Sequence, residues 1–371
     1  MTTIPTNIWM APMVRGSELA FRMIGRKYGI TTCFSPMMSA YSVLNSNGQQ
    51  HRVTSCLEDR PLIVQLCGNQ PKELAAAALK VVHELDGKLD GIDFNLGCPQ
   101  VVADEGNFGA FLATRNPDLV IECIQAIRFA MNDVKINGGL NNGKRLSVSA
   151  KIRLQPTTQE TISFAQRIEA AGCDLLSVHC RRPSDKHYGE PDYECGKLLV
   201  ETLTIPVCIN GGIYDLSKAK HVLKTTGAYS VMCAQGLLKN PRMLMDAKPC
   251  VAAVAAEYLA SCALYPPPNA LYIRKHLRWI FRDAIEPERT KNMEDYKAQF
   301  KEWRPRLWTF LVRPYLTSMI QFQQVVHLYC LLAEIELPKE LVELNLPVPT
   351  FKSIKKAKNG EAIGSTRQSG Q

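Results

Sequence analysis

Short apolar runs alternate with longer segments of helical period from residue 8 to residue 233, and this alternation narrows the possible folds more than any other feature of the chain. The runs are Ile8–Met13, Thr31–Ser35, Leu62–Leu66, Gly91–Asn95, Ser147–Ile152, Leu175–Val178, Val207–Ile209 and Tyr229–Cys233. Between them lie segments long enough for crossover helices, among them Ser17–Tyr28, Pro71–Leu85, Asn116–Met131, Thr158–Ala171 and Leu216–Thr225. Eight strand–helix repeats over about 240 residues predict an α/β fold of the TIM (β/α)8 barrel type. A doubly wound open sheet also alternates in this way, but it calls for a Gly-rich fingerprint after the first strand, and no G-x-G-x-x-G follows Met13.

The 371 residues exceed one average domain, and 46% are hydrophobic, enough for a substantial core. Pro266, Pro267 and Pro268 interrupt the chain beyond the barrel, and helical segments follow to about Ile335. The expected organisation is a catalytic barrel over 1–248, a smaller helical domain over 249–340 and a basic, disordered tail over 341–371. The Gly- and Asn-rich stretch Ile136–Arg145 reads as a surface loop.

Thirteen cysteines, an odd count, stand singly in apolar runs and never as C-x-x-C. They read as reduced thiols of an intracellular protein, without a zinc site. Met1–Val14 lacks the features of a secretory signal, and the apolar segment Val251–Tyr265 is too short to span a bilayer and carries Glu257. No membrane association, metal or obligate protein partner is expected. The net charge of +9 favours a polyanionic partner, because cations facing phosphates release counterions.

A barrel gathers its working groups at the C-terminal ends of its strands. Those ends carry Pro12 and Met13, Ser35, Gln65, Asn95 with Cys98 just beyond, Lys151 with Arg153, His179 with Arg181, Asn210, and Ala234 with Gln235. So many polar side chains around one mouth suit a polar cofactor and substrate.

Met10-Ala11-Pro12-Met13, Val64-Gln65, Asn95-Leu96-Gly97-Cys98-Pro99, Ala150-Lys151-Ile152-Arg153, Val178-His179, Ile209-Asn210-Gly211-Gly212 and Asn240-Pro241 together resemble the tRNA-dihydrouridine synthases in order and spacing. The likeness runs from about residue 8 to 245 and continues more weakly beyond. Phe34-Ser35-Pro36-Met37, Glu58-Asp59-Arg60-Pro61, Gly97-Cys98-Pro99-Gln100 and Phe108-Gly109-Ala110-Phe111-Leu112 look most like the eukaryotic branch acting on D-loop positions 16 and 17. The resemblance implies an FMN enzyme driven by NADPH or NADH that reduces the C5=C6 bond of a uracil in tRNA.

The same resemblance implies the roles. Reduced flavin supplies a hydride to C6, and Cys98 supplies the proton to C5; an unperturbed thiol, with a pKa of about 8.5, is protonated at neutral pH. Pro12, Met13, Val14, Gln65, Lys151 and His179 contact the flavin, Lys151 at the N1 and O2 edge. Gln65 has an amide that both donates and accepts, matching the pyrimidine edge of the ring. Asn210, Gly211, Gly212, Ala234 and Gln235 fall where barrels cradle a phosphate. Many family members have Asp at the position of Gly212 and Gly-Arg at Ala234-Gln235, so here a bidentate phosphate partner is lost; backbone amides are left to hold FMN, or it binds less tightly. Asn95, Arg153 and Arg181 are assigned to the substrate.

In the helical domain Arg274, Arg278 and Arg282 recur every four residues, with Lys275 beside them, and form a basic stripe on an amphipathic helix. By the resemblance this stripe contacts the tRNA backbone; a solvated face is the other reading of such a run. Lys352, Lys355, Lys356 and Lys358 add salt-sensitive affinity or keep the tail soluble. Two other classes fit part of the pattern: an FMN barrel acting on a free pyrimidine, like dihydroorotate dehydrogenase, and a catalytically idle RNA-binding protein. A small substrate needs no basic helical surface, and an idle protein has no need of Cys98, Lys151 and His179.

Overall fold

A computed structural model describes residues 7–45, 53–132, 134, 145–245, 250–282, 319–332, 338 and 342. The chain divides into two compact units, Met1–Leu237 with Pro241–Asp246, and Leu238–Asn240 with Ala247–Gln371.

The first unit is the expected barrel. Its strands are β1 (Ile8–Met10), β2 (Thr32–Phe34), β3 (Met38–Ser39), β4 (Leu62–Cys67), β5 (Gly91–Leu96), β6 (Ser147–Arg153), β7 (Leu175–His179), β8 (Val207–Asn210) and β9 (Ser230–Cys233). All pairings are parallel, in the order β2-β1-β9-β8-β7-β6-β5-β4, and a further β2–β4 pairing closes the ring. The two-residue β3 extends the far end of β4 and stands outside the eight. The first strand ends three residues sooner than its apolar run, because Pro12 has no N–H for the ladder; Ala11 still donates to the Cys233 carbonyl at 2.9 Å.

Around the strands lie α1 (Leu19–Lys27), α2 (Ala40–Asn45), α3 (Pro71–Glu84), α4 (Val101–Glu105), α5 (Ala110–Arg115), α6 (Pro117–Asn132), α7 (Thr158–Ala170), α8 (Tyr193–Thr202), α9 (Leu216–Thr226) and α10 (Gln235–Lys239). Local chemistry fixes several starts. Thr157 and Glu160 form a reciprocal capping box on α7, and Asp215 caps α9, which stops at Gly227 in the left-handed conformation. Residues such as Ile92, Phe94 and Leu96 of β5 point out against this helical layer and are fully buried there.

The inward positions divide the barrel lumen into two halves. Trp9, Ala11, Phe34, Ile63, Leu175, Cys208 and Met232 form an apolar cluster, with Met13 and Ala234 packed on it at the edge. Gln65, Asp93, Asn95, Ser149, Lys151, Arg153, Ser177, His179 and Asn210 fill the rest, all buried. A lumen so polar on one side is stable only if its groups pair with one another.

In the second unit α11 (Val251–Leu264), apolar on nearly every face, packs on α12 (Ala270–Ile280) and on α13 (Met319–Leu332). Ile273, His276, Leu277 and Ile280 form the buried face of α12. No helix among the described residues is long and apolar enough to cross a membrane. The lysines of the tail, and most of the loop 136–145, lie outside the described residues.

Candidate active site

Strand register sets the height of each polar group in the lumen. Gln65, Asp93 and Ser149 are neighbours in one row, Asn95 stands beside Lys151 in the next, and Arg153, His179 and Asn210 form the row at the mouth. The strand-end set named from the sequence therefore converges at one end of the barrel.

Cys98 lies half-buried just past β5 in a loop fixed on every side. Asn95 Oδ1 accepts from the N–H groups of Gly97 and Cys98 at 3.2 and 3.1 Å. The Cys98 carbonyl accepts from Ala110 N–H at 3.1 Å, and the Gly97 carbonyl accepts from Arg153 Nε at 2.9 Å. Gly109, at φ 63°, allows this approach, since a Cβ there would lie 2.9 Å from the Cys98 carbonyl oxygen. Pro99 and Gln100 follow, then α4, on which Val101 and Val102 are exposed.

Lys151, 9% exposed, donates from Nζ to Asn210 Oδ1 at 3.1 Å, and Asn210 Nδ2 donates to the Met232 carbonyl at 2.7 Å. That second bond turns the Asn210 oxygen toward the amine. Burial, and next the charge of Arg153, pull the Lys151 amine down to about 8, against the opposing pull of Asp93. His179 is held far below the usual imidazole range by burial and by Lys151, Arg153 and Arg181. Arg181 Nη1 lies 3.2 Å from His179 Nε2, and since a guanidinium only donates, Nε2 accepts and the ring is neutral.

Arg153 and Arg181 reach the mouth with donors engaged by main chain. Arg153 Nη1 donates to the Lys186 carbonyl at 2.7 Å, and Arg181 Nε and Nη2 donate to the Gly189 carbonyl at 3.0 and 2.8 Å. Their charges enter the site while their hydrogen bonds order the loop after β7. Gln65 is likewise bonded within the protein, donating to Asp93 and accepting from Asn95.

After β8, Gly211 and Gly212 adopt φ 116° and 67°, and a Cβ at Gly211 would lie 2.7 Å from the His179 ring. Tyr193 Oη donates to the Gly211 carbonyl at 2.7 Å. Gly236 in α10 lets that turn approach so closely that a Cβ would meet the Ile213 carbonyl oxygen at 2.8 Å. Ala234 is half-buried and Gln235 exposed, close enough for Tyr214 Oη to donate to Gln235 Oε1 at 3.5 Å. Pro12 and Met13 are half-buried on the same side of the rim, just past β1, which pairs with β9, and Val14 is exposed.

Asp93, Ser149, Tyr193 and His187 were not among the residues singled out from the sequence. Asp93 falls three positions short of the end of β5, although the period-two pattern of Asp93 and Asn95 marks both as inward. His187 stacks on His179 with ring centroids 6.4 Å apart. No cluster of His, Cys, Asp or Glu able to hold a metal occurs among the described residues.

The mouth meets the test for a flat heteroaromatic cofactor with one polar edge. One side is apolar, with Met13 and Ala234 on the buried cluster; the other presents Lys151, whose ammonium has three donors and one bond, to Asn210. The glycine turns at 211–212 and at 236 bring main chain close without side chains between.

Fold and site together define a (β/α)8-barrel protein with a half-buried cysteine and a buried lysine at its C-terminal mouth. The chain belongs to the dihydrouridine synthase (Dus) family, whose pattern it matches over residues 9–302. A mouse protein named as tRNA-dihydrouridine(16/17) synthase-like is 38% identical over 284 residues, 75% of this chain and 55% of its own length. A human tRNA-dihydrouridine(20a/20b) synthase-like protein is 37% identical over 235 residues, 63% of this chain and 69% of its own. The tRNA-dihydrouridine(16/17) synthase of Schizosaccharomyces pombe is 33% identical over 264 residues, 67% of this chain and 62% of its own. The chain thus spans only a little over half the length of the mouse relative.

Proposed function

We propose that this protein is a tRNA-dihydrouridine synthase that reduces the C5=C6 bond of a uracil in the D-loop, at positions 16 and 17. The observation that carries the reading is the fixed Cys98 loop beside Asn95 and Lys151 at a mouth that is apolar on one side. The 16/17 assignment follows the mouse relative, whose match is longer than that of the 20a/20b relative. The names of both include NAD(P), which supports NADPH or NADH as electron donor.

FMN is the cofactor that fits, and when bound and reduced it supplies the hydride for C6. Pro12, Met13, Val14 and Ala234 would flank the ring, Lys151 and Gln65 its polar edge, and the main chain at Gly211, Gly212 and Gln235 its phosphate. His179, neutral, accepts from Arg181 and so adds no second positive charge beside Lys151. Cys98 holds the proton for C5, and Asn95 keeps the loop that carries it in place. Arg153 and Arg181 keep the entrance positive for an anionic substrate while ordering the loops that frame it.

The purified chain, supplied with FMN, should show the visible absorption of a bound flavin. Lys151 is cationic below about pH 8 and neutral above, so FMN affinity should begin to fall as pH rises past that point. In Lys151→Met, affinity should be lower and this dependence absent. A chain that binds no flavin after reconstitution is not an enzyme of this kind.

The second unit would supply affinity for the tRNA backbone. Arg274 is half-buried and Arg278 exposed, both away from the buried face of α12, whereas Arg282, half-buried, lies two residues past the helix end at Ile280 and is not part of one stripe with them. Replacing all three by Ala should weaken tRNA binding and flatten its dependence on salt, with flavin content unchanged. Unaltered binding would move the tRNA contact to other basic residues.

A further inference from the structure

Beneath the mouth lies a carboxylate that the proposed chemistry does not use. Asp93 is fully buried on the inward face of β5, in register between Gln65 of β4 and Ser149 of β6. Its Oδ1 accepts from Ser149 Oγ at 2.6 Å and its Oδ2 from Gln65 Nε2 at 2.7 Å. Gln65 Oε1 accepts from Asn95 Nδ2 at 2.8 Å, and Asn95 Oδ1 accepts from the N–H groups of Gly97 and Cys98. One chain of hydrogen bonds therefore runs from the carboxylate to the main chain of the cysteine.

The chain has a direction, and its two ends set it together: the carboxylate at the base only accepts, and the Gly97 and Cys98 N–H groups at the top only donate. An ionised carboxylate only accepts, so Gln65 must turn its NH2 group down toward Asp93 and its oxygen up. Asn95 must then offer NH2 to that oxygen, which leaves its own oxygen facing the two N–H groups of the loop. If either amide flipped alone, donor would face donor at one of its contacts and acceptor would face acceptor at the other. Without an acceptor-only group at the base, only the N–H groups of the loop still orient the two amides, and the Gln65 end of the chain is released.

We infer that Asp93 is the positioning residue for the Cys98 thiol, holding its loop in one conformation through the ordered amides of Gln65 and Asn95. The inference rests on Cys98 being the proton donor only for its consequence in catalysis; the geometry it asserts can be tested without the reaction.

The test is the rate of alkylation of Cys98 by iodoacetamide in the full-length chain as purified, read by peptide mass spectrometry at one pH. Cys250, exposed, and Cys123, buried, serve as internal references. In Asp93→Asn the residue at the base can present either oxygen or NH2, the amide chain under the loop loses its fixed end, and Cys98 should react about two- to tenfold faster, the worth of one ordinary hydrogen bond. The double substitution Asp93→Asn with Gln65→Glu moves the carboxylate one link up the chain. Its acceptor-only group again faces the Asn95 amide, so the Cys98 rate should return toward the original value.

An unchanged or slower Cys98 rate in Asp93→Asn would overturn the inference, as would a double variant that reacts as fast as the single one. A rise at Cys123 in parallel with Cys98 would do the same, because it would signal general loosening of the barrel. None of these readings needs tRNA or turnover, so failure of the proposed activity and failure of this inference are separate results.

Discussion

The Cys98→Ala protein is expected to accept electrons from NADPH at close to the unsubstituted rate, yet to pass them to unmodified tRNA about a hundred- to ten-thousand-fold more slowly, the usual worth of a placed general acid. The two halves separate because only the second requires a proton above the substrate ring. Hydride arrival at C6 leaves negative charge spread over C5 and the C4 carbonyl, and in the proposed reaction the Cys98 thiol supplies the proton that C5 then takes. The loop itself survives the substitution. Its bonds run through the main chain of residues 97 and 98, to Asn95, Arg153 and Ala110, and none uses the sulfur. Stopped-flow absorbance follows both steps, flavin bleaching with NADPH and recovery of colour with tRNA. Equal rates of recovery in the two proteins would remove Cys98 from the chemistry.

The largest loss of stability from a single substitution is expected at Asp59→Ala, far from the site. Asp59 is 0% exposed and accepts from Arg22 Nε and Nη2 at 3.0 and 2.7 Å, from Arg26 Nε at 3.0 Å and from Ser55 Oγ at 3.2 Å. Arg22 is 1% exposed and also donates to the carbonyls of Ser17 and Thr54, so this cluster ties α1 to the segment leading into β4. Removing the carboxylate strands two guanidinium charges, one of them wholly buried. Breaking such a pair from one side costs about 3–5 kcal/mol. In a unit of this size, that corresponds to a fall in Tm of roughly ten degrees. Thermal denaturation followed by circular dichroism checks it, and a Tm within two degrees or so of the unsubstituted protein would show that the cluster does not matter.

The barrel was legible because its strands are buried on both faces and read as apolar runs, and because the inward residues at their ends are polar. Cys98, Lys151, His179 and Asn210 could be picked out by that rule. What the sequence hid was pairing at long range. Glu58-Asp59-Arg60-Pro61 stood out as a motif, but nothing in it pointed to Arg22 and Arg26 more than thirty residues earlier. Asn210 looked like a phosphate ligand beside two glycines, whereas its side chain turns into the lumen and orients Lys151. Arg153 and Arg181 looked like substrate contacts, and only the three-dimensional loop after β7 reveals the carbonyls that engage them. Helix α8 was not among the helices named from the sequence, since Gly196 interrupts its middle and its helical pattern is short. The one-row depth of Asp93 escaped a search confined to strand ends.

The most direct test of the proposed activity is to incubate the chain with FMN, NADPH and unmodified tRNA, and to count dihydrouridine by position with mass spectrometry. Dihydrouridine at positions 16 and 17, absent when Cys98→Ala replaces the unsubstituted chain, is the predicted result. A flavin-loaded chain that oxidises NADPH in the presence of tRNA and leaves every uridine unreduced would contradict it.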